Sequence, residues 1–270
     1  MVNLLKIIIV GASGKMGQTL IKQIINDPNL KLIGAVDQSS CPSLGLDAGT
    51  SFGIKTDINI TDDLESIIKE GDFIIDFTRP KASMSYLELS IKNNIKYVLG
   101  TTGFNEKEKN NILLASKQIP ICFAPNMSVG VNLLFSLVEE ATRILHKDYD
   151  IEIIESHHSE KVDAPSGTAL RLGETVAKAA NLNFKENSVF DRKGETKKRK
   201  KSDIGFSAIR GGDIVGDHTV LYAGEGERIE LTHKAGSRSN FAVGAIKAVK
   251  FLTNHSNGLF DMLDVLNIKK

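Results

Sequence analysis

Lys6-Ile7-Ile8-Ile9-Val10-Gly11-Ala12-Ser13-Gly14-Lys15-Met16-Gly17 is the stretch that decides the fold. Four of its first five residues are β-branched and none alternates with a polar neighbour, the pattern of a parallel strand covered on both faces. The glycines then permit a tight turn and a close backbone approach. A helical pattern follows at Leu20, Ile21, Ile24 and Ile25 and ends at Asn26-Asp27-Pro28-Asn29. Leu30 to Val36 reads as a second strand and closes on Asp37. A strand, glycine turn, helix and strand ending in an acid can hold a dinucleotide. The helix start offers N–H groups and a partial positive charge to a pyrophosphate, and the carboxylate accepts from ribose hydroxyls. The spacing is Gly-x-x-Gly-x-x-Gly rather than the stricter Gly-x-Gly-x-x-Gly, so the flanking strands and Asp37 carry much of the reading. Asp37 favours an unphosphorylated ribose, whereas Lys15 offers a charge to a 2′-phosphate, and both NADH and NADPH are expected to serve.

Outward from this unit the alternation continues. Asp62 to Lys69 reads as a short helix, Asp72 to Phe77 as a strand, and Ala82 to Asn93 as a helix. Lys96 to Leu99 reads as a strand, Glu106 to Gln118 as a helix, and Ile121 to Ala124 as a strand. This predicts an α/β, Rossmann-type, doubly wound parallel sheet. Ligands in such sheets lie beyond the carboxyl ends of the strands. Phe77-Thr78, Gly100-Thr101-Thr102 and Ala124-Pro125-Asn126-Met127 are therefore further candidates.

The chain has 270 residues, 41% hydrophobic and 25% charged, with a net charge of +1. These values describe a soluble globular protein and give no reason to expect a nucleic acid or an anionic membrane as partner. The apolar beginning runs straight into a glycine turn, so it reads as a buried strand rather than a targeting segment. Cys41 and Cys122 lack paired spacing and are expected to be buried thiols in a reducing cytoplasm.

A dinucleotide-binding domain is expected over residues 1–127, completed by C-terminal helices within 240–270, two of them at Phe241 to Leu252 and Leu259 to Leu266. A substrate and oligomerisation domain is expected over residues 128–239. It begins with a long helix from Ser128 to His146, in which Gly130 gives a hinge. A second α+β domain should form on a mixed sheet of about four strands: one at Ile151, then Ile204 to Arg210, Ile214 to Ala223 and Arg228 to His233. The basic segment Asp191 to Lys201 reads as a mobile solvated loop. Glu152 to Ala169 holds His157, His158 and Lys161, with Ser156 to Asp163 read as loop. Histidine suits proton exchange near neutral pH. Pro165 then introduces a helix at Ser166-Gly167-Thr168, where Ser166 is the N-cap and the first-turn N–H groups suit an anion. The set reads as an acid/base group beside a carboxylate pocket. A metal site is not expected, because the ligand spacing is poor.

The run Glu152-Ile-x-Glu155-x-His157-x-x-x-Lys161-x-Asp163-x-Pro165-Ser166-Gly167-Thr168-Ala169 resembles the signature of the 4-hydroxy-tetrahydrodipicolinate reductase family, also called dihydrodipicolinate reductase. The likeness extends to Asp76-Phe-Thr-Arg-Pro80, Gly100-Thr-Thr-Gly-Phe104, Asn126-x-Ser-Val-Gly-Val-Asn132 and Arg210-x-Gly-Asp-Ile-Val-Gly216. It implies hydride transfer from NADH or NADPH to a small cyclic dicarboxylate, on the diaminopimelate route to lysine. It also implies that His157 is the acid/base residue, that Lys161 donates a proton, and that His158, Gly167 and Thr168 contact substrate, with Arg238 nearby. Cofactor contacts are implied at Gly11, Ala12, Ser13, Gly14, Lys15, Met16, Asp37, Gly100, Thr101, Thr102, Ala124, Pro125, Asn126 and Met127. Gln38 stands where some members carry an arginine for the 2′-phosphate, and a cytoplasmic homotetramer joined through the C-terminal sheets is implied. Residue chemistry alone leaves open another nicotinamide-dependent oxidoreductase acting on a small carboxylate, or a nucleotide sensor without turnover.

Overall fold

β1 (Leu5–Val10), α1 (Lys15–Ile25) and β2 (Leu30–Val36) form the first parallel unit, as the opening stretch dictates. The chain continues through β3 (Ile60–Thr61), β4 (Phe73–Asp76), α2 (Pro80–Asn93), β5 (Lys96–Leu99), α3 (Glu106–Ala115) and β6 (Pro120–Phe123). α4 (Val129–Leu145) leads to β7 (Asp150–His157), α5 (Gly167–Ala179), α6 (Phe184–Asn187) and β8 (Ser188–Val189). Then come β9 (Ile204–Arg210), β10 (Gly216–Ala223), β11 (Arg228–Ala235), α7 (Ser239–Leu252), β12 (Gly258–Phe260) and α8 (Met262–Val265). This is a computed structural model, and it describes residues 4–194 and 197–268. Its contacts separate two units, Met1–Val129 with Arg238–Lys270, and Gly130–Ser237.

The first unit holds a seven-stranded parallel sheet in the order β12-β6-β5-β4-β1-β2-β3. Its central strands are mostly apolar because both faces are buried. Ile7 and Ile9 face α1 and α7, together with Leu20, Ile24, Ala245 and Val249. Ile8 and Val10 face the other side with Leu87 of α2 and Ile112 of α3. Burying each such side chain contributes about 1.5–3 kcal/mol. Lys96 also ties α7 to β5: its ammonium donates to the carbonyls of Leu252, Thr253 and His255 at 2.8, 3.0 and 3.1 Å. Those are carbonyls at and just beyond the helix end, where intrahelical donors run out.

The second unit is a five-stranded mixed sheet, β11-β10-β7-β9-β8, one strand more than the four expected. The extra strand, β8, is only two residues long and gives no periodic signal. α4 and α5 cover one face through Val131, Leu134, Val138, Leu172 and Val176, packed on Ile153, Ile204, Val220 and Tyr222. Gly173 lets α5 approach, since a Cβ there would lie 2.4 Å from the Phe206 ring.

Four local expectations are corrected. Asp62 to Lys69 forms no α-helix; only a 3-10 turn at Ile68–Glu70 is present, and Leu64 and Ile68 are the buried anchors. Leu259 to Leu266 is not one helix. Its first residues form β12, which pairs with β6 and extends the parallel sheet, and only α8 remains helical. Ser156 and His157 are not loop, because β7 runs to His157 with β9 and β10 as neighbours. The segment 191–201 is not simply a solvated loop. Arg192 donates to both carboxylate oxygens of Glu152 at 2.8 Å, and Arg199 reaches Glu152, Asp150 and the carbonyls of Ile151 and Asp203. Glu195 and Thr196 lie outside the described residues.

Candidate active site

In the second unit the period-two geometry of β7 turns Ile151, Ile153, Glu155 and His157 to the covered face. The last two are polar, and their burial requires partners. Glu155 is 1% exposed and receives four hydrogen bonds. Arg210, at the end of β9, donates to its two oxygens at 2.8 and 2.7 Å. His157 Nδ1 lies 2.6 Å from Oε2, and the Ser166 N–H donates to Oε1 at 3.1 Å. Burial pushes the Glu155 carboxyl up, but Arg210 and His157 together outweigh it and hold the group below its ordinary value. A carboxylate only accepts, so the short bond fixes the His157 proton on Nδ1. Nε2 is then the atom left to exchange a proton. It has room because residue 216 is glycine: a Cβ there would lie 3.0 Å from it.

The strand turns sharply after His157. His158 is half-buried, and Lys161 pairs with Asp163 at 2.7 and 2.8 Å. Lys161 holds the Asp163 carboxyl below its usual range. Asp163 is largely exposed, so the pair contributes about 1 kcal/mol or less and can be exchanged for an incoming carboxylate. The Ala164–Pro165 peptide is cis. Ser166 is the N-cap of α5, its Oγ accepting from the Ala169 N–H at 3.2 Å. Gly167 beside it is exposed, and a Cβ there would meet nothing within 4 Å. His218 on β10, 4% exposed, places Nε2 2.9 Å from Ser166 Oγ and its ring 5.1 Å from that of His157. Burial, then the His157 charge, lowers its pKa to about 4. The structure thus gathers His157, Ser166, Gly167 and the short loop bearing His158 and Lys161 at one end of the sheet.

In the first unit Gly11 has φ +70°, and a Cβ on it would lie 2.8 Å from Thr78 Cγ2. A Cβ on Gly17 would lie 2.2 Å from the Gly11 carbonyl, so α1 packs on the turn only because residue 17 is glycine. Gly14 is the N-cap of α1 and provides no side-chain acceptor, which leaves the helix start suited to an anion. Asp37 stands at the end of β2, where its Oδ2 accepts from the Ser13 N–H at 2.8 Å and the Ser13 hydroxyl at 2.6 Å. Ribose hydroxyls would share that carboxylate with Ser13. Lys15 is exposed and Met16 half-buried. The tight glycine contacts, the uncapped helix and the terminal acid fit a dinucleotide.

The remaining strand ends are more constrained than the sequence suggests. Ala12, Ala124 and Met127 are buried in the core, so any cofactor contact from them is through the backbone. Pro125 and Thr102 are exposed, and Asn126 Oδ1 accepts from the Ser128 N–H at 2.9 Å. Thr101 is 2% exposed, and its hydroxyl donates to Asp76 at 3.1 Å while accepting from Ser83 at 3.0 Å. Asp76 is fully buried and also takes the Thr78 N–H, the Thr78 hydroxyl and the Tyr97 hydroxyl. This network fixes the ends of β4 and β5. Gly100 passes so close to Phe77 that a Cβ would lie 2.2 Å from the ring. Arg238 sits at the N-cap of α7.

Sequence reasoning overlooked His218 as a site residue and gave no role to the Glu155–Arg210 pair. The usable signal was phase: Gly216, His218, Val220 and Tyr222 share the buried side of β10, and a histidine in such a series requires a polar partner. Among the described residues no group of three or more His, Cys, Asp or Glu side chains is placed to hold a metal ion. Cys41 and Cys122 are both buried.

Comparison with known proteins bears on both units. The profile described as "Dihydrodipicolinate reductase, N-terminus" matches residues 5–127, and "Dihydrodipicolinate reductase, C-terminus" matches residues 130–266. A 4-hydroxy-tetrahydrodipicolinate reductase from Paraburkholderia phymatum is 52% identical over 265 residues, covering 98% of this chain and all of the relative. One from Burkholderia multivorans is 50% identical with the same coverage. The dipicolinate-bound dihydrodipicolinate reductase from Paenisporosarcina sp. TG-14 superposes with a TM-score of 0.76 at 26% identity, covering 98% of this chain and all of that one.

Proposed function

The chain belongs to the dihydrodipicolinate reductase family, and on that premise we propose how its residues divide the work of the family's reaction. The activity is reduction of 4-hydroxy-tetrahydrodipicolinate, via dihydrodipicolinate, to tetrahydrodipicolinate with NADH or NADPH, in lysine and diaminopimelate biosynthesis. The nicotinamide, when bound, supplies the hydride. Gly11 to Met16 hold the pyrophosphate, Asp37 the adenine-side ribose, and Gly100 to Thr102 with Ala124 to Met127 line the rest of the cofactor.

The proton and the carboxylates belong to the second unit. His157, anchored through Nδ1 by Glu155, exchanges a proton at Nε2. Lys161 leaves Asp163 to meet a substrate carboxylate and serves as proton donor, His158 contacts the ring substituents, and the start of α5 at Ser166, Gly167 and Thr168 receives the second carboxylate. The observation that carries this reading is the anchored His157 beside an anion-ready helix start. Cytoplasmic action follows from the need for reduced nicotinamide; among the described residues no helix is long and apolar enough to cross a membrane. A homotetramer is supported by the uncovered face of the five-stranded sheet, where Ile209 is exposed and Ile154 and Leu221 are only half-buried. The test is NADH oxidation with freshly generated dihydrodipicolinate. Turnover on this substrate, and none on unrelated semialdehydes or sugars, is expected; turnover only on the latter contradicts the assignment.

A further inference from the structure

His218 has one ring nitrogen paired and one without a partner, and this asymmetry has a chemical consequence. Its Nε2 meets Ser166 Oγ at 2.9 Å, while Nδ1 is buried and has no hydrogen-bond partner among the described residues. In the neutral ring only one nitrogen carries hydrogen. A hydrogen on Nδ1 would be a buried donor with nothing to receive it, which is unfavourable. A hydrogen on Nε2 leaves a bare lone pair at Nδ1; among buried backbone groups an orphaned N–H is rarer than an under-satisfied acceptor, and the Nε2–H tautomer follows that preference.

Ser166 Oγ then receives two donors, the Ala169 N–H and the His218 Nε2–H. Both lone pairs are used. The hydroxyl hydrogen has no acceptor among the described residues and must serve an external one. We propose that His218 is a positioning residue: it fixes the Ser166 hydroxyl as a donor to a substrate carboxylate seated at the exposed Gly167 end of α5. The same ring packs edge-to-face on His157, with ring planes at 74°, so one side chain braces both the proton-exchanging group and the anion cap. The low basicity of His218 agrees with this role, because a ring that stays neutral keeps the tautomer. The proposal rests on the carboxylate-binding reading of α5, and it adds a residue that makes no contact with substrate itself.

Two measurements test it. In the intact protein labelled with 15N-histidine, the His218 resonances are assigned by their loss in His218→Gln. They should show hydrogen on Nε2 at neutral pH; hydrogen on Nδ1 overturns the proposal whatever the variants do. In steady state, His218→Phe should raise the dihydrodipicolinate KM about tenfold with kcat changed less than about threefold and NADH affinity unaltered. His218→Gln, whose amide N–H can reach Ser166, should recover most of the loss. In a Ser166→Ala background the His218→Phe effect should vanish, because the hydroxyl it orients is gone. Additive effects reduce His218 to a packing residue and overturn the proposal. Wild-type protein that fails to turn over the substrate would instead remove the functional assignment beneath it.

Discussion

Glu155 shows how a buried charge is kept. Arg210, His157 and the Ser166 N–H together satisfy its oxygens. Removing one partner of such a cluster typically costs 3–5 kcal/mol. Arg210→Met should therefore lower the chemical-denaturation stability by about that amount, whereas Lys161→Ala, which breaks a surface pair, should barely change it while reducing both substrate affinity and rate. A large stability loss for Lys161→Ala would show that its pair with Asp163 is structural. His218 makes the pH prediction. Its pKa falls from 6.5 to about 4 on folding, so the unfolded chain binds a proton first as pH drops. The stability held by the neutral ring is complete above pH 6.5 and is lost progressively down to about 4, in all on the order of 3 kcal/mol. Wild-type stability should fall more steeply than that of His218→Gln between pH 6.5 and 4 in denaturant titrations; parallel profiles would mean that the ring is not held neutral.

At the scale of elements, the glycine contacts carry the most specific expectation. Gly17→Ala would press a methyl against the Gly11 carbonyl and Ala12, neither of which is a flexible side chain. The substitution should weaken NADH binding about tenfold in fluorescence titrations and lower the melting temperature. Gly167→Ala, with open space around it, should leave the melting temperature nearly unchanged. Equal behaviour of the two variants would contradict the packing described for the turn. These elements also show what a sequence reveals. Apolar runs such as Ile7 to Val10 declare a doubly covered strand without ambiguity, because no polar residue is tolerated on either face. Gly258 to Phe260 carries no such signal. Its pairing with β6 is a long-range backbone event, and a short apolar stretch before α8 looks helical in isolation. Leu64 and Ile68 have helical spacing too, yet the turns around them bury two anchors without building an α-helix.

Across the whole molecule, the residues proposed to hold cofactor and those proposed to hold substrate come from separate units, and they differ in legibility. His157, Lys161 and Ser166 to Thr168 stand within one short run and were readable as a group. Arg210 and His218 reach the same cluster only through the pairing of β7 with β9 and β10, a register no local pattern encodes. The uncovered side of that five-stranded sheet sets a prediction at this scale: light scattering should give a mass near four times the 29.4 kDa chain. Charged substitutions at Ile209 and Leu221 should reduce it, and a monomer in the wild type would contradict the tetramer. The central claim is that His157, held by Glu155, exchanges the proton in a nicotinamide-dependent reduction. The most direct measurement is steady-state NADH oxidation with dihydrodipicolinate for wild type and His157→Gln, together with NADH affinity for both. The account predicts a fall in kcat of about a hundredfold or more with cofactor affinity unchanged; equal turnover in the two proteins would contradict it.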